Sequence, residues 1–321
     1  MAAKSSSILR RALLYVPASS PRMLTKSLSL ASDNITYDLE DSVTPSAKPQ
    51  ARAALRTHLL DHPSRPSSVS ELAVRINAVS SPYALDDLAA LAPLPNVDAV
   101  VLPKVNSASD LTFATDALRH LAAERHRDES GGNPIKIVAL IESARAVMDL
   151  REICAASPLL SGLIFAAEDF ALDLSLTRTP SLSEFLYARS AIVTAARAAG
   201  LPSAIDLVCT SYKGEEGLAR LEEECRNGKA MGFNGKQCIH PSQVETVQRL
   251  FAPSEKEVEW AVRITIADEK AATAGRGAWT LDGAMIDAPV AGKARAIVDK
   301  ARKCGIDVDA LREKWKHQEP E

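Results

Sequence analysis

Two carboxylates stand out by type and spacing. Glu142 closes the apolar run Ile137-Val138-Ala139-Leu140-Ile141, and Asp169 follows Leu163-Ile164-Phe165-Ala166-Ala167-Glu168. They are 27 residues apart, about one strand–helix–strand unit. If the two runs are neighbouring parallel strands, both acids emerge at the same sheet edge. Two hard oxygen ligands at one mouth can hold a Mg²⁺ beside a substrate.

The elements that must position this pair can be read along the chain. Eight β-like runs occur: 12–16, 34–39, 72–76, 99–102, 136–141, 162–166, 204–208 and 235–239. Most are continuously apolar, as expected of parallel strands buried on both faces. Helical spacing of apolar residues separates them at 22–31, 47–60, 110–127, 144–156 and 182–199. Strands alternating with helices predict an α/β chain, a (β/α)8 TIM barrel over residues 12–251. Residues 252–321 read as a C-terminal helical extension, with helices at 255–274 and 290–304. The glycine-flanked loop between those helices has the composition of a lid. Residues 1–11 are Ser-rich, basic and free of acids, and read as a disordered tail or a targeting segment.

In such a barrel, chemistry sits where strands end and βα loops begin. The strand ends supply Arg22 and Lys26, then Asp38, Glu40 and Asp41, then Arg75, Lys104, Glu142, Asp169, Asp206, Lys236 and His240. Adjacent acids repel unless a cation neutralises them, which argues for a metal. Arg75 offers a fixed fork for a substrate carboxylate, or it neutralises Glu40 and Asp41. Arg22, Lys26 and Lys236 could hold phosphates. His240 before Pro241 reads as a structural histidine, and Asp206 as either a metal-shell or a structural acid. No HExxH, P-loop, GxGxxG or GxSxG motif occurs, so zinc-protease, nucleotide, dinucleotide and serine-hydrolase readings lack support.

Bulk properties narrow the class. The chain has 321 residues, 46% of them hydrophobic and 25% charged, ordinary values for a globular protein. A net charge of −3 invites no nucleic acid, and no apolar stretch is long enough to span a bilayer. The five cysteines form no CxxC pair and read as reduced, buried thiols of an intracellular compartment, mitochondrial or cytosolic.

Nine stretches in order carry a family resemblance: LLYVPASSPRMLTKS, ITYDLEDSV with KPQAR, VRIN, VLPKV, IESARAV, FAAEDFALDL, AIDLV, GFNGKQCIHPSQV and GAMIDAPV. They run from Leu13 to Val290. The chain resembles the citrate lyase β-subunit-like group of the HpcH/HpaI aldolase superfamily, which includes malyl-CoA and citramalyl-CoA lyases. The resemblance implies that Glu142 and Asp169 bind Mg²⁺ and that Arg75 binds and polarises a 2-keto acid. It implies that Glu40 and Asp41 sit behind the metal. Arg22, Lys26 and Lys236 fall in segments that contact the CoA nucleotide. Asp287 matches a lid aspartate that enters a neighbouring subunit's site as acid/base, within a homotrimer or hexamer. Relatives often carry Gly-Asp-Asp or Gly-Glu-Asp where this chain has Ala167-Glu168-Asp169.

The expected activity is therefore a Mg²⁺-dependent C–C lyase acting on a 3-hydroxyacyl-CoA thioester, releasing an acyl-CoA and a small 2-keto acid. A thioesterase or malate-synthase-like outcome, a metal-aldolase of free hydroxy-keto acids, a citrate lyase β-type subunit and a CoA-ester-binding scaffold are the competing readings.

Overall fold

The computed structural model describes residues 8–127 and 132–321. The first unit, through Gln248, is a closed barrel of eight parallel strands in sequence order. Its strands are β1 (Ala12–Pro17), β2 (Ser32–Asp38), β3 (Val69–Arg75), β4 (Ala99–Leu102), β5 (Lys136–Ile141), β6 (Leu160–Phe165), β7 (Ser203–Asp206) and β8 (Gly235–Cys238). The helices up to β5 are α1 (Pro21–Ser27), α2 (Lys48–Asp61), α3 (Ala84–Leu91), α4 (Ala108–Leu121) and α5 (Ala123–His126). Those after β5 are α6 (Ala144–Met148), α7 (Leu150–Ala155), α8 (Ala167–Leu174), α9 (Leu186–Ala198), α10 (Gly214–Ala230) and α11 (Val244–Phe251).

The helix expected over 110–127 is two helices, because Ala122 leaves helical geometry at φ −125°, ψ 44°. The helix expected over 144–156 likewise breaks at Asp149. Helices α3, α8, α10 and α11 answer to no expected helical segment. The first turn of α10 is acidic, which suits its dipole, but its polar composition hides the apolar stripe.

Inside the barrel the side chains form layers. The middle layer is apolar: Leu13, Ala73, Val101, Val138, Ile164 and Ile205 belong to one buried cluster. Each large aliphatic buried there contributes about 1.5–3 kcal/mol relative to exposure. The layer at the N-terminal ends of the strands is polar and built on Arg10, whose five N–H donors are all used. Nε and Nη2 fork the Glu71 carboxylate at 2.7 and 2.6 Å, while the remaining donors reach Ser161 O, Ser161 Oγ and Ser203 Oγ at 2.8–2.9 Å. Asn34 adds a bond to Glu71 at 2.7 Å. Arg11 pairs with Asp33 at 2.8 Å. Both arginines fall in the segment that the sequence suggests is a tail, yet they are held in the fold; residues 1–7 lie outside the described residues.

Closure between β1 and β8 needs a residue without a side chain. A Cβ on Gly235 would lie 2.0 Å from Arg10 O and 2.4 Å from Arg11 O.

The second unit, Arg249–Glu321, has its own core. Helices α12 (Glu255–Thr273), α13 (Ala288–Lys303) and α14 (Val308–Lys314) enclose Val262, Ile266, Trp279, Leu281, Ile286 and Val298. The glycine-flanked loop expected there is a two-stranded antiparallel hairpin, β9 (Trp279–Leu281) and β10 (Ala284–Ile286). It turns at Asp282 and Gly283, with φ of 51° and 78°, the left-handed pair that an Asp-Gly hairpin turn requires. Arg263 forks Asp282 at 2.6 and 2.8 Å and thereby holds the turn against α12. No helix among the described residues is long and apolar enough to cross a membrane.

The buried Arg10–Glu71 pair makes the fold sensitive to one substitution. Arg10→Met should cost about 3–5 kcal/mol in urea unfolding, since Glu71 would stay buried without its counter-charge. Burial alone would push the Glu71 carboxyl up, but the Arg10 charge and the bonds from Arg10 and Asn34 outweigh it and hold it low. A depressed folded value means the contribution is complete above the unfolded value, about 4.5, and fades as pH falls through the folded one. The gap in thermal stability between the native chain and Glu71→Gln should therefore shrink on acidification below about pH 4.5.

Candidate active site

The C-terminal ends of the strands gather the charged residues. Asp38 and Arg75, the last residues of β2 and β3, are register partners. Arg75 Nε and Nη2 each donate to one Asp38 oxygen at 2.7 Å, a bidentate fork. Asp38 also accepts the backbone N–H groups of Glu40 and Ser42 at 2.9 and 3.0 Å. One carboxylate thus fixes both the arginine and the turn that carries Glu40 and Asp41. Burial pushes the Asp38 carboxyl up, yet the Arg75 bonds and charge win and hold it below the ordinary range.

Arg75 is supported from below. Its guanidinium lies 4.5 Å from the centre of the Tyr15 ring, a contact worth about 0.5–2 kcal/mol. The Tyr15 hydroxyl donates to Gln237 Oε1 at 3.0 Å, and Gln237 Nε2 donates to Phe165 O and Asp206 O. Burial, with the charges of Asp38, Glu142 and Glu40, pushes the Tyr15 hydroxyl up, so it remains a donor. The remaining Arg75 nitrogen, Nη1, stands 3.3 Å from Glu40 and 3.4 Å from Asp41.

Glu40 is held from three sides. Lys48 donates to the backbone oxygens of Leu39 and Glu40 at 3.0 and 2.9 Å, and Lys104 Nζ bonds Glu40 Oε1. Glu40 Oε2 is buried without a hydrogen-bond partner, although Arg75 Nη1 is near. Burial first, and the Asp41 charge next among the raising influences, push the Glu40 carboxyl up despite Arg75 and Lys104. Lys104 itself adopts φ 52°, left-handed backbone that a side chain enters at a cost.

Glu142 directly follows β5 and is 6% exposed. Burial, then the charges of Asp169 and Glu40, push its carboxyl up to about 8, against the Lys104 backbone amide and ammonium. Asp169 lies in the acidic first turn of α8 and is half-buried. The pair singled out by spacing thus does share one mouth with Glu40, Asp41 and Arg75. Two hard carboxylates in electrostatic reach, one of them too buried to ionise easily alone, suit a divalent cation. Among the described residues no group of three or more His, Cys, Asp or Glu is gathered to encage a metal. An ion here would take two protein carboxylates and complete its shell with water or substrate oxygens.

Arg22 and Lys26 are exposed on α1. With Ser20, Met23, Ile239 and His240 they line a cavity of about 400 Å³ beside the ends of β1 and β8. A larger cavity of about 850 Å³ lies between α7 and α9 on the outer wall, lined by Leu150, Cys154, Tyr187 and Ala191, and carries none of the mouth's acids.

One sequence expectation is corrected, and three other candidate residues have local partners. Lys236, expected to hold phosphate, is 0% exposed and 2.9 Å from Glu224 of α10. Alternate strand residues face opposite ways, so Gln237 points inward and Lys236 outward under the helix. Asp206 is a structural acid, forked by Arg189 of α9 at 3.0 and 2.7 Å. Asp287 belongs to the second unit, where its Oδ1 accepts the Val290 N–H at 3.1 Å and caps α13. His240 is exposed, its Nδ1 accepts the Ser242 N–H at 3.2 Å, and its ring stacks 4.9 Å from Tyr212. Tyr15, Gln237 and the fork role of Asp38 escaped the sequence reading. The adjacent strand-end positions of Asp38 and Arg75 were the available signal.

The site's relatives are known proteins. A family model described as HpcH/HpaI aldolase/citrate lyase matches residues 11–241, and another described as C–C bond lyase of the TIM-barrel fold matches residues 184–306. Citrate lyase subunit beta of Haemophilus influenzae is 38% identical over 298 residues, 93% of this chain and 98% of that one. The mitochondrial citramalyl-CoA lyase of Homo sapiens is 34% identical over 305 residues, 92% of this chain and 86% of its own. The structure of protein CitE from Mycobacterium tuberculosis, in complex with magnesium, acetoacetate and coenzyme A, superposes with a TM-score of 0.71 at 33% identity, covering 92% of this chain and 98% of that one.

The backbone of Lys104 yields a test of this geometry. Lys104→Gly and Lys104→Ala both remove the ammonium, but glycine relieves the left-handed strain. Lys104→Gly should be more stable than Lys104→Ala by about 1 kcal/mol in urea unfolding; equal stability would contradict the backbone assignment.

Proposed function

The chain belongs to the HpcH/HpaI aldolase/citrate lyase family, and on that premise we propose that its barrel mouth cleaves, or in reverse forms, the C–C bond of a 3-hydroxyacyl-CoA thioester with a bound magnesium ion. Family membership makes it a carbon–carbon lyase of the α/β barrel type. The observation that carries the reading is the joint placement of Glu142, Asp169, Glu40 and Arg75 at one rim, where burial first and neighbouring acids next push the Glu142 and Glu40 carboxyls up.

Glu142 and Asp169 would hold the ion. A bound Mg²⁺ supplies Lewis-acid polarisation of the keto-acid oxygens and neutralises the charge that develops on them. Arg75, clamped by Asp38 and resting on Tyr15, is pre-organised to hold the keto-acid carboxylate and needs no reorganisation during the reaction. Glu40 and Asp41 keep Arg75 and Lys104 in place behind it. In cleavage a base takes the β-hydroxyl proton, the oxygen becomes the carbonyl of the keto acid, and the Cα–Cβ bonding pair passes into the thioester as an enolate. A proton then returns to that carbon. Asp287 is the proposed source of the proton and, in condensation, its acceptor, delivered from a neighbouring copy in a trimer or hexamer. The family motif Met285-Ile286-Asp287-Ala288-Pro289 supports this role. Arg22 and Lys26, beside a cavity of about 400 Å³, are the proposed contacts of the CoA nucleotide; buried Lys236 drops out of that set.

Citramalyl-CoA and malyl-CoA are the favoured substrates. A second reading, a citrate lyase β-type subunit acting on a citryl thioester, is favoured by the 38% identity to the Haemophilus chain.

Purified protein should release acetyl-CoA from citramalyl-CoA or malyl-CoA with Mg²⁺ and not with EDTA. Turnover of a citryl thioester alone would select the second reading, and stoichiometric free thiol would mark a thioesterase. Glu142→Gln should lower Mg²⁺-dependent release by about 100-fold or more, beyond the cost of losing an outer-shell partner. The metal-free variant should melt no lower than the native chain, because the amide removes repulsion with Asp169 and Glu40. If Asp287 works between copies, mixing Asp287→Asn with Glu142→Gln protein should restore activity that neither has alone.

A further inference from the structure

The loop after α8 returns to the mouth along a built path. Helix α8 ends at Ser175, which takes φ 57°, and Leu176 N–H closes on Ala171 O at 2.8 Å. The chain then turns a corner at Thr179, whose N–H and Oγ1 both bond the Glu184 carboxylate, at 2.6 and 2.7 Å. Arg178, just before this corner, points back under the helix. Its guanidinium bonds Glu168 in the first turn of α8, Val208 O beyond β7 at 3.0 Å, and Glu224 Oε1 on α10 at 2.9 Å.

The far end of this link is buried. Glu224 is buried, and its other oxygen lies 2.9 Å from Lys236, which is wholly buried beneath α10. An exposed Glu168–Arg178 pair alone would be worth about 1 kcal/mol or less. Here one partner is anchored by a buried carboxylate and a backbone carbonyl, so Glu168 is tied to the barrel wall rather than to a loose side chain. Glu168 is the immediate neighbour of Asp169. The other end of α8 is fixed as well: Asp173 accepts the N–H of Ala144, two residues after Glu142, at 2.8 Å. The helix bearing one proposed metal ligand is thus tethered to the loop bearing the other, and Arg178 sets the rotation of its first turn.

We propose that Arg178 is a positioning residue for the metal site, holding Asp169 in register with Glu142 through Glu168 and the buried Glu224–Lys236 pair. This rests on the magnesium reading above. Loss of the guanidinium frees the first turn of α8, and a carboxylate displaced by a fraction of an ångström no longer shares an ion with Glu142. Asp169 itself is unchanged, so the loss falls on ion affinity rather than on the chemical step.

Mg²⁺ binding to the full chain, measured by calorimetry and checked with Mn²⁺ by electron paramagnetic resonance, tests this directly. Arg178→Gln should weaken binding about 10- to 100-fold, the range for outer-shell partners of a metal ligand. Arg178→Lys should recover part of the loss. Glu168→Gln, on the exposed side of the link, should weaken binding comparably without affecting thermal unfolding, and it guards against a misfolded Arg178 variant. The double variant should be no worse than Arg178→Gln, since both break one link. At saturating Mg²⁺, kcat should stay within about threefold of native while the apparent Mg²⁺ constant rises, a split that a purely structural role would not produce. If Arg178→Gln and Glu168→Gln bind Mg²⁺ within twofold of native while Glu142→Gln does not bind it, the positioning role is wrong and the metal reading stands. If the native chain binds no Mg²⁺, or Glu142→Gln binds it equally, the metal reading fails and the proposal falls with it.

Discussion

The fork between Asp38 and Arg75 is the interaction on which the mouth is built. Both residues end neighbouring strands on the inner face, so the register of β2 against β3 is also the register of the fork. Asp38 spends its other lone pairs on the turn of Glu40 and Asp41, and Arg75 rests on Tyr15, whose hydroxyl is tied through Gln237 to β6 and β7. The arginine is therefore fixed by five strands at once. A guanidinium held this way keeps its charge and direction in a crowded, partly dry rim, where a lysine's single rotatable ammonium would not. β3 repeats the device at its other end, where Glu71, four residues before Arg75 on the same face, receives Arg10.

Much of this was legible in the sequence, and the exceptions share a physical cause. Eight β-like runs, most of them continuously apolar, marked the strands, and the eight-strand closed barrel follows them closely. Such runs carry no alternation, so they do not say which residues face inward. That is why Lys236 was read as a mouth residue when its neighbour Gln237 holds the inward position, and why Asp206 stayed ambiguous. The strand-end acids and Arg75 were found because they follow the apolar runs, where facing matters less. Tyr15 was invisible because an aromatic within a strand is ordinarily core, and its role depends on a cation from another strand. The hairpin near the C-terminus did carry a signal, the Asp282-Gly283 pair, but glycines on either side suggested a lid loop.

Outside the barrel a second set of charges lies buried under the helices: Arg189 with Asp206, and Lys236 and Arg178 with Glu224. Buried ions repay their desolvation poorly, and apolar residues of similar volume would often serve stability better. Their value here is directional. Each pair joins a strand or loop to a specific helix, and together they hold α9 and α10 against β7 and β8.

The Arg10 cluster has a consequence for the order in which the chain is made. Its guanidinium bonds residues 61, 151 and 193 positions further along the chain. During synthesis the first of these leaves the ribosome early, but Ser203 emerges after most of the barrel has been made. Until then the floor of the barrel is missing a partner, and an arginine bound for full burial must remain in water. β1 also waits for β8, whose Gly235 alone allows the two strands to meet. The first strand of the barrel to be made is thus among the last to be locked. Nascent chains cut short before β7 should hold native-like βα units without a closed barrel, which places the barrel's commitment step late in translation.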